Sequence, residues 1–143
     1  MTAITTIDSE IVASSLAIGA GVAKSTAISV GLSTSRNEIH SDVLASIANS
    51  GSTATPVKAV SGRVIVGATK DAKIDATVKA TAIAVAVGFS GSPAVSGGGA
   101  LAFNTILGRD NAFIADSTVA ASGDVTLKSD SSSKINADVL AAA

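Results

Sequence analysis

The chain has 143 residues, a net charge of −1 and no cysteine, and 47% of it is apolar. The missing cysteines exclude a disulfide framework and a thiolate metal site. Ten basic and eleven acidic residues are scattered without the basic stripe that nucleic acid requires, so nucleic acid is not an expected partner. The apolar residues are mainly Ala, Val and Ile, with Phe89, Phe103 and Phe113 as the aromatics. Side chains this small fill a thin core in which backbones lie close together, whereas a wide core is usually filled by rings.

Met1-Thr-Ala-Ile has neither the basic stretch nor the apolar run of a signal peptide, so an exported protein would carry its signal on a longer parent chain. Residues 11–23 and 80–108 are free of charge. The second stretch is long enough for a bilayer, but it contains Pro93, the run Gly97-Gly98-Gly99 and several Ser, and its large apolar residues alternate with Ala. Buried strands are expected there, and no membrane span.

An internal repeat organises the chain. Ile7-Asp8-Ser9 returns as Ile74-Asp75-Ala76 and as Ile135-Asn136-Ala137. With a shift of 67, residues 7–50 lie on 74–117 without a gap, and 15 of 44 pairs are identical, among them Gly21/Gly88, Gly31/Gly98, Asn37/Asn104, Ile39/Ile106 and Ile47/Ile114. From Ala59 onward the shift is 61, which sets Ala59-Val-Ser-Gly-Arg-Val64 on Ala120-Ala-Ser-Gly-Asp-Val125. The difference is the segment 51–56, whose Gly, Ser, Thr and Pro mark a loop. The repeat units run over about 7–73 and 74–134, with a partial third copy at 135–143. A stacked array tolerates an insertion confined to one loop.

Within each unit the period is two. Val64-Ile-Val66, Ile83-Ala-Val85-Ala-Val87, Ala100-Leu-Ala-Phe103 and Val125-Thr-Leu127-Lys are strand patterns. Residues 82–88 are apolar at every position, as expected of a strand covered on both faces. Ser-Gly at 61–62 and at 122–123 marks a corner where glycine supplies positive φ. No capped amphipathic helix can be drawn. The expected fold is all-β, a parallel β-solenoid (β-helix) of about two 61–67-residue repeat units forming one segment, 1–143. A unit of this length suggests two or three coils each, with Asn37 and Asn104 at matching corners and Ile39/Ile106 and Ile47/Ile114 pointing inward.

Candidate chemical sites are few. His40 is the sole histidine, its repeat counterpart is Leu107, and it reads as a surface residue. The acid pairs Asp8/Glu10, Asp71/Asp75 and Asp124/Asp130 suggest glycoside hydrolysis, which needs two carboxylates held at a set separation in a cleft. They alternate with apolar residues, however, and so face solvent, and Asp124 replaces Arg63 between copies. No calcium-roll, EF-hand or phosphate-loop motif is present. The expectation is therefore no enzyme: no catalytic, cofactor-binding or metal residues, and no cofactor.

The strings Ser122-Gly-Asp-Val-Thr-Leu-Lys128 and Lys134-Ile-Asn-Ala-Asp-Val139, the Ala/Val/Gly stretch 84–102, and Asn104-Thr-Ile106 followed by Ala112-Phe-Ile-Ala-Asp-Ser-Thr-Val119 resemble the repeats of very large bacterial exoproteins. Leukotoxin-like and filamentous-haemagglutinin-like adhesins are the group meant, and the likeness runs from about residue 7 onward. It implies a parallel β-solenoid that is extracellular or at the cell surface, part of a larger exported protein, and acting in attachment or as a spacer. End-to-end self-association is the expected partnership. A glycan or protein held on one solenoid face is the alternative, a polysaccharide-active β-helix enzyme a more remote one, and a membrane-inserting β structure a third.

Overall fold

The structure, a computed structural model, describes residues 1–22, 24–88 and 90–143. Ala23 and Phe89 lie outside the described residues, and with them the Val22/Phe89 and Ala23/Ser90 repeat pairs. Among the described residues every regular element is a strand: β1 (Thr2–Ala20), β2 (Ala27–His40), β3 (Val43–Ala48), β4 (Val57–Ala59), β5 (Val64–Val87), β6 (Ala94–Leu107), β7 (Asp110–Ala115), β8 (Val119–Ala121) and β9 (Val125–Ala142). Dense Val, Ile and Thr suit a pleated surface, and Gly and Ser interrupt any helical window. The fold is all-β, with parallel pairing of strands.

The strands join in the orders β1-β5-β9, β2-β6, β3-β7 and β4-β8. Each neighbour is thus the next copy of the same repeat position. β3 and β7 pair in parallel with Val43 opposite Asp110 and Ala48 opposite Ala115, the shift of 67 read from the sequence. Elsewhere the backbone hydrogen bonds report the register, because a parallel ladder joins the N–H of one residue to the carbonyl before its partner. Thr69 N–H donates to the Met1 carbonyl, Gly21 N–H to that of Val87, and Ala27 N–H to that of Pro93. These bonds set 2 opposite 69, 21 opposite 88 and 27 opposite 94.

Successive copies therefore lie one strand spacing apart, which corrects the expectation of two or three coils per unit. The whole 61–67-residue unit is traversed before the chain returns to its own neighbour, because the strands are unusually long: 19 residues in β1 and 24 in β5. A second correction concerns β4 and β8, where Ala59 stands opposite Ala121 rather than Ala120. The shift of 61 is recovered past the corner that follows, where Val64 N–H donates to the Asp124 carbonyl and sets 64 opposite 125. Gly62 has φ of 125°, whereas Gly123 is not among the positive-φ residues. The segment 51–56 is a loop closed by reciprocal bonds between Ser52 and Thr55.

By contacts the chain divides into two compact units. Unit 1 comprises residues 1–6, 38–73 and 106–134. It contains the β3-β7 and β4-β8 ladders, and its inward rows include Ile39, Val43, Val66, Ala68, Lys70 and Ala72, all buried. Unit 2 comprises residues 7–37, 74–105 and 135–143. Here β1 faces β2 across a narrow interior: Ser15 Oγ and Ser29 Oγ lie 2.7 Å apart, and Ser9 Oγ and Ser35 Oγ 3.5 Å apart. Toward Ala20 and Ala27 the interior is thin because Ala, Ser and Gly line it, whereas Ile74 and Val78 fill it farther along. A Cβ at Gly31 would sit 2.5 Å from the Thr81 carbonyl oxygen, and one at Gly98 would sit 2.7 Å from that of Ala142, so only glycine permits these approaches. Within the Gly97–Gly99 run only Gly98 marks close strand approach, since a Cβ at Gly97 meets nothing and one at Gly99 meets only the Leu32 side chain.

Unit 2 also overturns one sequence expectation. Residues 82–88 are not covered on both faces: Ala82 is buried, but Ile83, Val85 and Val87 point outward and are exposed. On β2 the small residues Ala27, Ser29, Gly31, Ser33, Ser35 and Asn37 face inward, while Ile28, Val30 and Leu32 face outward.

Candidate functional site

Most residues that the sequence singled out lie on outward rows. Asp8 and Glu10 share the exposed face of β1, Asp71 and Asp75 that of β5, and Asp130 lies on β9 with Lys128 Nζ 2.6 Å from its Oδ2. Asp124 is in the corner before β9 and is exposed. Asp75 is engaged by its repeat neighbour, for Asn136 Nδ2 donates to Asp75 Oδ1 at 2.6 Å. Alternation along a strand places i and i+2 on one face, so these acids line up as neighbours on a surface. His40 projects to solvent and meets Glu38 two residues earlier on the same face. Among the described residues no three His, Asp or Glu side chains converge as a metal-ligand set.

Asn37 and Asn104 do form an amide ladder, but inside strands β2 and β6 rather than at corners. Asn37 Nδ2 donates to Asn104 Oδ1 at 2.8 Å and also lies within reach of Ser9 Oγ and Ser35 Oγ, at 3.0 and 3.1 Å. An inward amide next to inward hydroxyls satisfies its own donors. Ser33 Oγ, in the same inward row, is buried and has no hydrogen-bond partner.

Unit 1 contains a buried ion pair that the sequence reading missed. Lys70 Nζ lies 3.3 Å from Asp110 Oδ2, with side-chain exposures of 6% and 5%. Ser129 Oγ donates to the Asp110 carbonyl at 2.7 Å, while Asp110 Oδ1 is buried without a partner. Neither charge repeats between copies: Val43 stands opposite Asp110, and Ser131 is the counterpart of Lys70. The available signal was Lys70 between Ala68 and Ala72, a lysine at an inward position of an alternating strand.

A shallow groove of about 520 Å³ opens on the outward face of β2 and β6 in unit 2, lined by Thr34, Ser35, Arg36, Phe103 and Thr105. The register puts Arg36 and Phe103 side by side. With Ser35 turned inward, a guanidinium, an aromatic face and the hydroxyls of Thr34 and Thr105 offer one charge, one apolar plane and two hydrogen-bonding groups. Sequence reasoning recognised Phe103 only as part of a strand, because the neighbourhood of Arg36 and Phe103 depends on pairing across 67 residues. Compared with family profiles, curated proteins and solved structures, the chain matches none of them.

Proposed function

We propose that this chain is a non-catalytic structural or adhesive repeat segment of an extracellular β-solenoid, part of a larger exported protein, which extends, spaces or attaches. The observation that carries the reading is the register: equivalent residues of successive copies are hydrogen-bonded neighbours, so the repeat propagates by addition of strands. A scaffold of this kind needs no cleft and no converging acids, in keeping with the outward rows of Asp and Glu. Stacked repeats draw stability from contacts with their neighbours.

The same logic makes the terminal strands reactive toward a second copy. β1 and β9 are the edges of their sheet, and an edge strand presents unpaired N–H and C=O groups. The inward positions Leu127, Ile135 and Val139 of β9 are nearly half exposed. End-to-end association of copies covers both features. Size-exclusion chromatography with light scattering is expected to show mass rising with protein concentration, and Ile135→Lys is expected to weaken the rise. A strict monomer at the highest attainable concentration sinks the association.

The groove beside Phe103 favours a second reading, a face that holds a glycan. A saccharide carrying a carboxylate would lay its apolar face on the ring, its charge on Arg36 and its hydroxyls on Thr34 and Thr105. In a glycan-binding screen, uronic- or sialic-acid-bearing glycans are expected to outrank neutral ones, and Phe103→Ala is expected to weaken binding on the order of tenfold. Equal binding by the Ala variant removes this reading.

A further inference from the structure

The charge-free end of unit 2 has its polarity reversed relative to a protein surrounded by water. Beyond Ile11 its interior rows are Ala, Ser and Gly, with a Ser15–Ser29 hydroxyl contact between the layers. Its outward rows carry the large apolar side chains. Leu16, Ile18 and Ile83 on one face, and Ile28, Val30 and Leu32 on the opposite face, are between 58% and 71% exposed. Soluble proteins rarely leave so much contiguous apolar surface uncovered. Strands with apolar residues out and small or polar ones in are the pattern of lipid-facing β structure.

The length of the apolar zone has its own meaning. From the turn, β1 runs back from Ala20 to Ile11 before the first charge at Glu10, which is about 33 Å of strand at about 3.3 Å per residue. β2 runs from Ala27 to Ser35 before Arg36, about 30 Å, and β5 from Val87 to Ala80 before Lys79, about 26 Å. Three strands thus reach their first charge at nearly the same depth, close to the roughly 30 Å hydrocarbon thickness of a bilayer. Lys24, the one charge beyond that zone, lies exposed in the turn, where it would meet a headgroup layer.

We propose that this end of unit 2 inserts into the hydrocarbon of a lipid bilayer, with the outward rows of β1/β5 and of β2/β6 as its lipid-facing surfaces. Both opposite faces are apolar, and so is Val22 at the turn, 90% exposed. A second copy docked on one face leaves the other in water, whereas hydrocarbon surrounds all three. Open strand edges are costly in hydrocarbon, so neighbouring inserted chains pair their edges and the bound form is oligomeric. This proposal goes beyond the scaffold reading and stands without it.

The test uses the full chain and phosphatidylcholine vesicles. The chain has no Trp, so Leu32→Trp, Ile83→Trp and Thr77→Trp each report one site. The protein is expected to float with the vesicles. Brominated acyl chains are expected to quench Trp at 32 and at 83, on the two opposite faces, and not at 77 in the charged zone. The double variant Ile18→Arg with Leu32→Arg is expected to lower partitioning about thirtyfold or more. If that variant loses its strand circular dichroism, the Trp variants still decide. Protein that stays unbound, quenching at only one of the two faces, or an equal emission shift without vesicles at the same concentration overturns the proposal, the last in favour of a second copy.

Discussion

Replacing Lys70 by Met is expected to lower the free energy of unfolding by about 3–5 kcal/mol, because it leaves the Asp110 carboxylate buried without its counter-charge. The carboxylate has little else to rely on. Its Oδ1 has no hydrogen-bond partner, and its side chain is 5% exposed. Asp110→Val is expected to be comparably costly, since it strands the Lys70 ammonium among Ala68 and Ala72. The double variant Lys70→Met with Asp110→Val is expected to recover most of the loss. Valine already occupies the neighbouring copy's position, Val43, and an apolar replacement of a whole buried pair is often neutral or stabilising. Denaturant unfolding of the four proteins closes a double-mutant cycle. A loss below about 1 kcal/mol in Lys70→Met would place the pair with exposed ion pairs and refute its burial.

Three isoleucines at one repeat position provide the second large test. Ile7, Ile74 and Ile135 occupy equivalent places in β1, β5 and β9, and β5 lies between the other two. Ile74 is fully buried, Ile7 half-buried and Ile135 46% exposed. Ile74→Ala is expected to cost about 2–5 kcal/mol through lost transfer energy and the cavity left behind. The same substitution at Ile135 is expected to cost under about 1 kcal/mol, with Ile7 between them. Thermal melts rank the three directly. Equal shifts at all three positions would mean that β5 is not the sandwiched strand, and the pairing of copies would fall with it.

How much of this was legible beforehand depends on the kind of information involved. Repetition at shift 67 specified which residues are equivalent, Val43 and Asp110 among them, but the expected two or three coils per unit would have kept them apart, whereas the ladder makes them direct neighbours. Strand identity was equally readable, from period-two patterns and the absence of capped helices. The half-hidden ladder of Asn37 and Asn104 followed from identity at an aligned position, although its place within strands instead of at corners did not. The slip at Ala59 and Ala121 was invisible because low-complexity Ala and Val align almost as well one residue over.

The amino-acid sequence alone determined the strands, their turns and which residues are equivalent between copies, because these depend on local backbone preference and on recurrence along the chain. Only the tertiary structure decided which of the two faces of each strand turns inward. Alternation marks two faces without ranking them, and the usual ranking by size would have buried Ile28, Leu32, Ile83 and Val87. The two layers of unit 2 instead meet through Gly31 and Ser29, with Ser15 opposite, a separation too small for any larger side chain, so the bulky residues are left outside. Lys70 and Asp110 became partners for a related reason: 40 positions separate them in the chain, and only packing of one layer on another closes that distance to 3.3 Å.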